Sequence, residues 1–337
     1  MISLLIVNYR SAQLAIDAIR SARAATNRPL QVIAVDNSVD ASESDTLRPH
    51  ADVVIASAKN RGYAGGINDG RAHCKGEVIV VANPDVVFAV GALDALADAL
   101  NDAAAAGPAL FWDDEHRWLL PPSDLHTASE KIGEVLASRS RAWLRLRDRS
   151  RFRKRVAFWE LKQTTEVPAL SGAVLGFHAD APPFDERFAL YFEETDFLRR
   201  LGGRIVYVPA ARVRHLYNQS AGQVSAEAAA RYAQSELRYL EKWNGPFVAR
   251  TLKSMEKPPL SFEFTPIDGP VSVEGEDLVV EASPLANFAT AAGCLDCRTV
   301  DLPDEVLSSW RGDTIYLRAL ERGSGRVVGA WARRIRL

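Results

Sequence analysis

Through its first two-thirds the chain alternates short apolar runs with amphipathic segments rich in alanine and leucine, and then it changes texture. Residues 2–7 are an unbroken apolar run, residues 12–25 space alanine and isoleucine along one helical face, and residues 31–36 (QVIAVD) are a second apolar run closed by an acid. Strand, helix, strand in that order is the mark of a parallel sheet. A third short run follows at 52–56, and the most apolar stretch of all is EVIVVANPDVV at 77–87. So short and apolar a run suits a strand buried on both faces, with Pro84 stopping it. Ligands of an open parallel sheet sit outside the carboxyl ends of its strands, which puts Asp85 where a polar ligand would be held.

Between these strands, residues 60–70 read NRGYAGGINDG. Glycines at 62, 65 and 66 are expected to let the backbone come close to a ligand, and the helix after them to aim its free N–H groups at the same place. Neither the dinucleotide fingerprint G-x-G-x-x-G nor the phosphate-loop G-x-x-x-x-G-K-[ST] is present. Residues 91–106 predict one helix, with Leu93, Leu96, Ala97 and Leu100 on its packing face. Residues 113–165 carry little periodicity and several prolines, and are expected to be an insertion used for recognition.

Regularity returns at 167–176 and at 184–202, where Glu193, Glu194 and Asp196 fall in the first turn of a helix. These three are the candidate catalytic carboxylates. Asp196 has Arg199 and Arg200 at the spacings that pair on a helix, whereas Glu194 faces Leu198, so Glu194 is the better general base. A strand at 204–208, the sequence VRH at 213–215 and a helix at 226–243 complete this part. Pro258-Pro259 reads as a linker, and alternating runs at 261–265, 277–282, 314–320 and 326–337 indicate a small all-β domain. The expected organisation is one domain over 1–257 and a second, accessory one over 258–337 that the first does not need for solubility.

Composition changes this picture little: 337 residues, 47% hydrophobic and 25% charged, are ordinary globular values. The net charge of −2 hides a basic run at 139–155, nine Lys/Arg against Asp148, a local charge of +8. The N-terminus has no positively charged leader and no span of membrane length, which reads as a cytoplasmic protein. Cys74, Cys294 and Cys297 are too few for a disulfide framework and are expected to be incidental thiols in a reducing compartment.

Taken in order, VNYRS (7–11), VDNSVD (35–40), NRGYAGGINDG (60–70), NPDV (83–86), LSGA (170–173), FDERFALYFEETDFLRRLGGRIVYVP (184–209) and VRH (213–215) resemble a bacterial family 2 glycosyltransferase of the rhamnosyltransferase-like group. The resemblance covers roughly the first three-quarters of the chain. It implies an α/β fold of the GT-A type, a nucleotide-binding, mostly parallel sheet with helices on both faces, and inverting transfer of a sugar from a nucleoside diphosphate, with dTDP-rhamnose as donor. It implies donor contacts from Asn8, Tyr9, Asp36, Asn60, Gly62, Tyr63, Gly65, Asn83 and Asp85. Asp85 matches the second acid of the family's D-x-D metal motif, Asn83 stands in place of the first, and His215 matches the histidine that completes the site for Mg²⁺ or Mn²⁺. The family's Glu-Asp pair maps to Glu193-Glu194, so the base is one methylene longer here.

The acceptor implied is a glycan or a lipid-linked sugar of cell-surface polysaccharide synthesis. Arg139, Arg141, Trp143, Arg145 and Arg147 are the expected acceptor or membrane contacts, since basic residues near an anionic leaflet are attracted to it and could hold the enzyme there peripherally. The run alternates arginines as a strand would and shows no clean helical stripe. Two other classes compete. A nucleotidyltransferase would need a glycine- and arginine-rich loop after the first strand, which Asn8-Tyr9-Arg10-Ser11 is not. A non-catalytic module binding nucleic acid or a partner would leave the acids at the strand ends unexplained, and no nucleic acid is expected.

Overall fold

A computed structural model describes residues 1–216, 226–295, 297–310 and 312–335. In chain order the first part holds β1 (Ile2–Asn8), α1 (Ala12–Ala24), β2 (Leu30–Asp36), α2 (Ala41–Leu47), β3 (Val53–Ala56), α3 (Gly62–Arg71), β4 (Val78–Ala82), β5 (Val86–Phe88), α4 (Ala92–Ala99) and β6 (Ala105–Phe111). It continues with α5 (Ala128–Ala137), α6 (Arg141–Trp159), β7 (Thr165–Glu166), β8 (Val174–His178), α7 (Glu193–Leu201), β9 (Ile205–His215), α8 (Ala226–Asn244) and α9 (Pro246–Ser254). Among the described residues the strands form one nine-stranded sheet in the order β3-β2-β1-β4-β8-β6-β9-β5, with β7 on β9. β1, β2, β3 and β4 run parallel, as does β6 beside β9, while β8 is antiparallel to both of its neighbours.

Every residue of β1 is buried because the sheet is covered on both faces. One face carries α1 and α4, with Ile16, Ile19, Leu93 and Leu96 packed on Leu4 and Val80. The other carries α3 and α7, with Ile67, Phe197 and Leu198 packed on Leu5 and Val81. Glycine has a packing role here: a β-carbon on Gly70 would come within 2.5 Å of Leu5, and one on Gly66 within 2.7 Å of Val7. Those glycines bring α3 down onto the sheet.

Several expectations from the sequence are corrected. The run at 77–87 is two strands, because the Pro84-Asp85 turn redirects the chain so that Val86 pairs with His215 instead of continuing β4. The helix expected to reach residue 106 stops at Ala99. Ala105 and Ala106 are strand, paired with β8 and β9, where sheet partners outweigh the helical preference of alanine. The strand at 204–208 runs on through Pro209 to His215, accommodated by a register shift between Pro108 and Ala109.

The basic run is a helix, α6, and the insertion around it is ordered. α5 opens with a capping box between Thr127 and Glu130, and α6 with Ser140 capping Trp143. The buried stripe of α6 is Leu144, Asp148, Phe152, Arg155, Val156 and Trp159. Two charges inside that stripe are what hid it from an apolar count.

Those charges explain the C-terminal unit, which contains β10 (Thr265–Ile267), β11 (Val271–Ser272), β12 (Leu278–Ser283), β13 (Ala292–Cys294), β14 (Thr299–Val300), a short helix α10 (Asp304–Ser309), β15 (Thr314–Glu321) and β16 (Val327–Arg334). It is thus not purely β. Its main sheet, β10-β16-β15-β12-β13, lies against α6. Arg155 donates to Glu281 Oε1 at 2.7 Å, and Arg318 donates to Glu281 Oε2 and Asp148 at 2.8 Å, all buried. Trp112, Trp118 and Leu120 of the first part are enclosed with Val280, Leu317 and Trp310 of the second in one cluster. Leu119 bridges Phe111 on one side and Gly293 on the other, so backbone pairing passes from the large sheet to the C-terminal one.

Cys294, which ends β13, and Cys297 form a disulfide, their Cα atoms 5.6 Å apart. They are not free thiols, and the sequence-based ground for a reducing compartment goes with that. Cys74 is free, and burial pushes its thiol up to about 11.

Candidate active site

β4 ends at Ala82, and the turn after it carries Asn83, Pro84 and Asp85. Asn83 donates its backbone N–H to Ala173 O at 2.8 Å, which ties this turn to the LSGA segment. Because Val86 pairs with His215, and Leu216 N–H donates to Asp85 O at 3.1 Å, two distant segments present Asp85 and His215 side by side. His215 Nε2 lies 3.3 Å from Asp85 Oδ1, and both side chains are almost wholly buried. Burial works to raise the Asp85 carboxyl, yet the charge and proximity of His215 hold it below the ordinary carboxylate value.

A pair of acids comes from α7. Tyr191 and Phe192 enter it with φ of +69°, a left-handed step that side chains rarely adopt, and Phe192 is locked by rings of Tyr239, Tyr232 and His126. That step turns the first residues of α7 inward. Glu193 is buried, and its Oε2 has no hydrogen-bond partner among the described residues. Burial first, and the charge of Glu194 second, push the Glu193 carboxyl well above its usual range. Glu194 is the more open of the two. Burial raises it as well, offset by local backbone N–H groups and by His126. Both carboxyls are pushed up, chiefly by burial, and as neighbours they titrate as a pair.

Tyr63, at the start of α3, joins the two pairs. Its hydroxyl donates to Gly172 O at 3.1 Å, and burial, then Glu193, Glu194 and Asp85 in turn, raise it far above a free phenol. Asp85, His215, Tyr63, Glu193 and Glu194 therefore share one acidic site at the carboxyl ends of the strands.

Other sequence candidates fall elsewhere. Asn8 is fully buried, its amide donating to Asp36 at 3.0 Å and Glu43 at 2.9 Å, and its carbonyl accepting from Ser11. Asp36 accepts from Asn8, from Ser38 N–H at 3.0 Å and from Ser44 at 2.7 Å. Both residues bond each other and the segments around them, which ties the ends of β1 and β2 to α2. Tyr9, beside them, is 50% exposed with the Arg10 guanidinium over its ring. Asn60 accepts from Gly62 N–H at 2.8 Å, and Tyr63 N–H donates to Ala189 O at 2.8 Å, so the first N–H groups of α3 already have protein partners. Gly62 answers to a protein contact too: its φ is +72° and a β-carbon would lie 2.4 Å from Ala189 O. A β-carbon on Gly65 would meet Arg61 at 2.8 Å.

Asp196 is fully buried and bonded to Arg200 at 2.7 Å, Lys242 at 2.6 Å and Trp243 at 3.0 Å. It fastens α7 to α8 and is not available as a base. Arg147 is folded back on Glu130 O and Glu134, and Arg139 donates to Met255 O, while Arg141, Trp143 and Arg145 are exposed on α6. None of the five lies among the acids. The sequence reading missed His126, a lone histidine in an irregular stretch with no pattern to mark it. It also missed a cleft of about 1070 Å³ between β9 and the C-terminal unit, bordered by Lys162, Arg212 and Arg298, which none of the site acids lines.

The description Glycosyl transferase family 2 matches residues 3–160. N-acetylglucosaminyl-diphospho-decaprenol L-rhamnosyltransferase of Mycobacterium tuberculosis, in strains CDC 1551 and H37Rv, is 30% identical over 242 residues, which span 64% of this chain and 76% of the relative. The chain belongs to glycosyl transferase family 2. Among solved structures, GalNAc-T7 with UDP, GalNAc and Mn²⁺ aligns with a TM-score of 0.47 at 16% identity, over 72% of this chain and 48% of the other. The mannosyltransferase PcManGT from Pyrobaculum calidifontis, with GDP-Man and Mn²⁺, aligns with a TM-score of 0.42 at 14% identity, over 75% and 73%.

For a family 2 glycosyltransferase, the fit of a divalent cation is read from the donor set. Among the described residues no group of three or more His, Cys, Asp or Glu is placed to enclose a metal. Asp85 Oδ1, buried and without a hydrogen-bond donor among the described residues, and His215 beside it could supply two ligands on one side. An oxygen and an imidazole nitrogen suit Mn²⁺ or Mg²⁺ when the remaining positions are filled by phosphate oxygens and water. The residues fit a cation shared with a substrate, not one enclosed by protein.

Proposed function

We propose that this glycosyltransferase moves rhamnose from dTDP-rhamnose, with inversion, to a hydroxyl of a lipid-linked glycan acceptor in cell-surface polysaccharide synthesis. The observation that carries the reading is the set of groups gathered around Tyr63: Asp85 beside the His215 imidazole, and the adjoining carboxyls Glu193 and Glu194. The rhamnosyl donor and lipid-linked acceptor are taken from the name of the mycobacterial relative.

In this reading Asp85 and His215 would hold Mg²⁺ or Mn²⁺, and the cation would supply positive charge to offset what the diphosphate leaving group gains. Glu194 accepts the proton of the acceptor hydroxyl as its oxygen attacks the anomeric carbon. The bond from that carbon to the diphosphate oxygen breaks in the same step, so attack and departure lie on opposite faces of the sugar. Glu193, held neutral by burial, positions a sugar hydroxyl and keeps the second negative charge away from Glu194. Tyr9, Asn60, Gly62, Tyr63, Gly65 and Asn83 shape the donor pocket, and Asn8 and Asp36 brace it.

Calorimetry of the full chain against dTDP, UDP and GDP, with and without Mn²⁺, tests donor and metal together. Tight binding of dTDP that weakens without Mn²⁺ is expected. Preference for UDP or GDP would replace the donor, and binding indifferent to Mn²⁺ would remove the metal role.

A further inference from the structure

Helix α6 wears its charge on the side that faces water. Arg141, Arg145, Arg149 and Arg153 are exposed and make no ion pair among the described residues, whereas Arg147, Arg151 and Lys154 on its flank are paired with Glu134 and Asp124. Set among the unpaired arginines are two large apolar side chains that a solvated helix has no reason to keep, Trp143 at 47% and Leu146 at 60% exposure. They sit one turn apart and on one face.

The surface continues onto a second element. Arg139, in the turn that leads into α6, donates to Met255 O at the end of α9, and α9 exposes Phe247 at 84% and Val248 at 38%. Phe247 stands directly after Pro246 at the start of α9, where nothing in the fold requires an aromatic ring. Among the described residues no helix is long and apolar enough to cross a membrane.

We propose that the exposed faces of α6 and α9 form a docking surface for an anionic lipid bilayer. Arginines in the headgroup layer and Trp143, Leu146 and Phe247 at the acyl boundary are the division of labour of an interfacial helix. The charge selects the occupant: a neutral partner would leave four guanidinium groups unmatched. The surface also has a bearing on the acceptor, and this part rests on the reading above. His126 touches Phe192 beside the catalytic pair, Thr127 caps α5 immediately after it, and α5 leads to α6. A helix of that length spans about 15 Å, so a hydroxyl carried on a membrane-anchored lipid is presented to Glu194 when α6 rests on the same leaflet.

The test is flotation of the full chain with vesicles of pure phosphatidylcholine and with vesicles containing anionic phosphatidylglycerol, at low salt and at ~0.5 M salt, where screening shortens the reach of surface charge. Binding to the anionic vesicles only, released by salt, is expected. Arg145→Gln with Arg149→Gln should weaken it about 30-fold. Leu146→Glu and Phe247→Glu should each weaken it while circular dichroism stays that of the parent, since all four side chains are exposed. No binding to anionic vesicles, equal binding to neutral ones, or binding untouched by these variants would overturn the proposal. Neither donor nor acceptor is present in the assay, and binding of dTDP is measured separately, so either reading can fail without the other.

Discussion

Gly172 lies flush against Glu194: a β-carbon on the glycine would come within 3.2 Å of Cγ, 3.3 Å of Cβ and 3.4 Å of Cδ of that side chain. The same residue's carbonyl receives the Tyr63 hydroxyl, so one glycine sets the floor of the acidic site. Gly172→Ala should therefore shift Glu194 by a few tenths of an ångström. Turnover is expected to fall roughly tenfold or more, because misplacing a reacting group by about 1 Å can cost 10²-fold. Donor affinity should hold. Steady-state kinetics showing a raised donor KM with unchanged kcat would place Gly172 in the donor pocket instead.

Glu194→Gln is expected to lower turnover by about 10² to 10⁴ with little change in dTDP binding, as loss of a general base does. Asp196→Asn probes a different function. It loosens the contacts with Arg200, Lys242 and Trp243, so thermal stability should drop while the residual folded enzyme still turns over. Should Asp196→Asn be folded and inactive with Glu194→Gln active, the base would be Asp196.

Asp85→Asn keeps the size of the side chain and removes its charge beside His215. Turnover should fall by about 10² or more, and calorimetry should show that added Mn²⁺ no longer improves dTDP binding. Retained Mn²⁺ dependence would move the cation to other ligands.

Glu193 makes a prediction about pH and stability. Its folded carboxyl titrates well above the unfolded value of about 4.3. Over the window between those two values the folded chain holds a proton that the unfolded chain has lost, so stability falls as pH rises through it. Glu193→Gln abolishes that loss. Its melting temperature relative to the parent should climb as pH rises above the unfolded value of about 4.3; a difference that stays constant with pH would mean that Glu193 is ionised and paired.

At the junction of the two units, Glu281→Gln leaves Arg155 and Arg318 buried with part of their compensation gone. A cost of about 3–5 kcal/mol in urea unfolding is expected, the usual penalty for breaking a buried ion pair on one side. A chain ending near Lys257 would in addition uncover Trp112, Trp118, Phe152 and Trp159. Such a truncation should be recovered as aggregate, and a soluble, cooperative fragment would show that the first unit stands alone.

Much of the large sheet was legible because its strands are apolar on both faces and each ends in a turn residue or an acid: β1, β2 and β4 needed nothing beyond local pattern. That Asp85, Glu193 and Glu194 would lie at the ends of elements was legible for the same reason, as polar groups placed where apolar periodicity stops. Three things were not. Pairing of Val86 with His215 joins segments far apart in the chain, and no local pattern encodes a partner. Asp148 and Arg155 in the buried stripe of α6 are satisfied by Glu281 and Arg318, so the stripe looks polar until those partners are known. The mutual bonding of Asn8 and Asp36 was not legible either, because a side chain's type does not say which protein groups it meets in the fold.

Leu119 donates to and accepts from Gly293 across more than half the length of the chain. During synthesis the segment after β6 thus emerges long before its β-partner exists. Until residue 293 has left the ribosome, Trp112 and Trp118 have no enclosure and the edge at Leu119 stays open to pairing with another chain. The enzyme should depend on chaperone cover or slow maturation late in its synthesis, and substitutions around Gly293, where a β-carbon would strike Trp159 at 2.2 Å, should reduce yield far more than they reduce the activity of the molecules that mature.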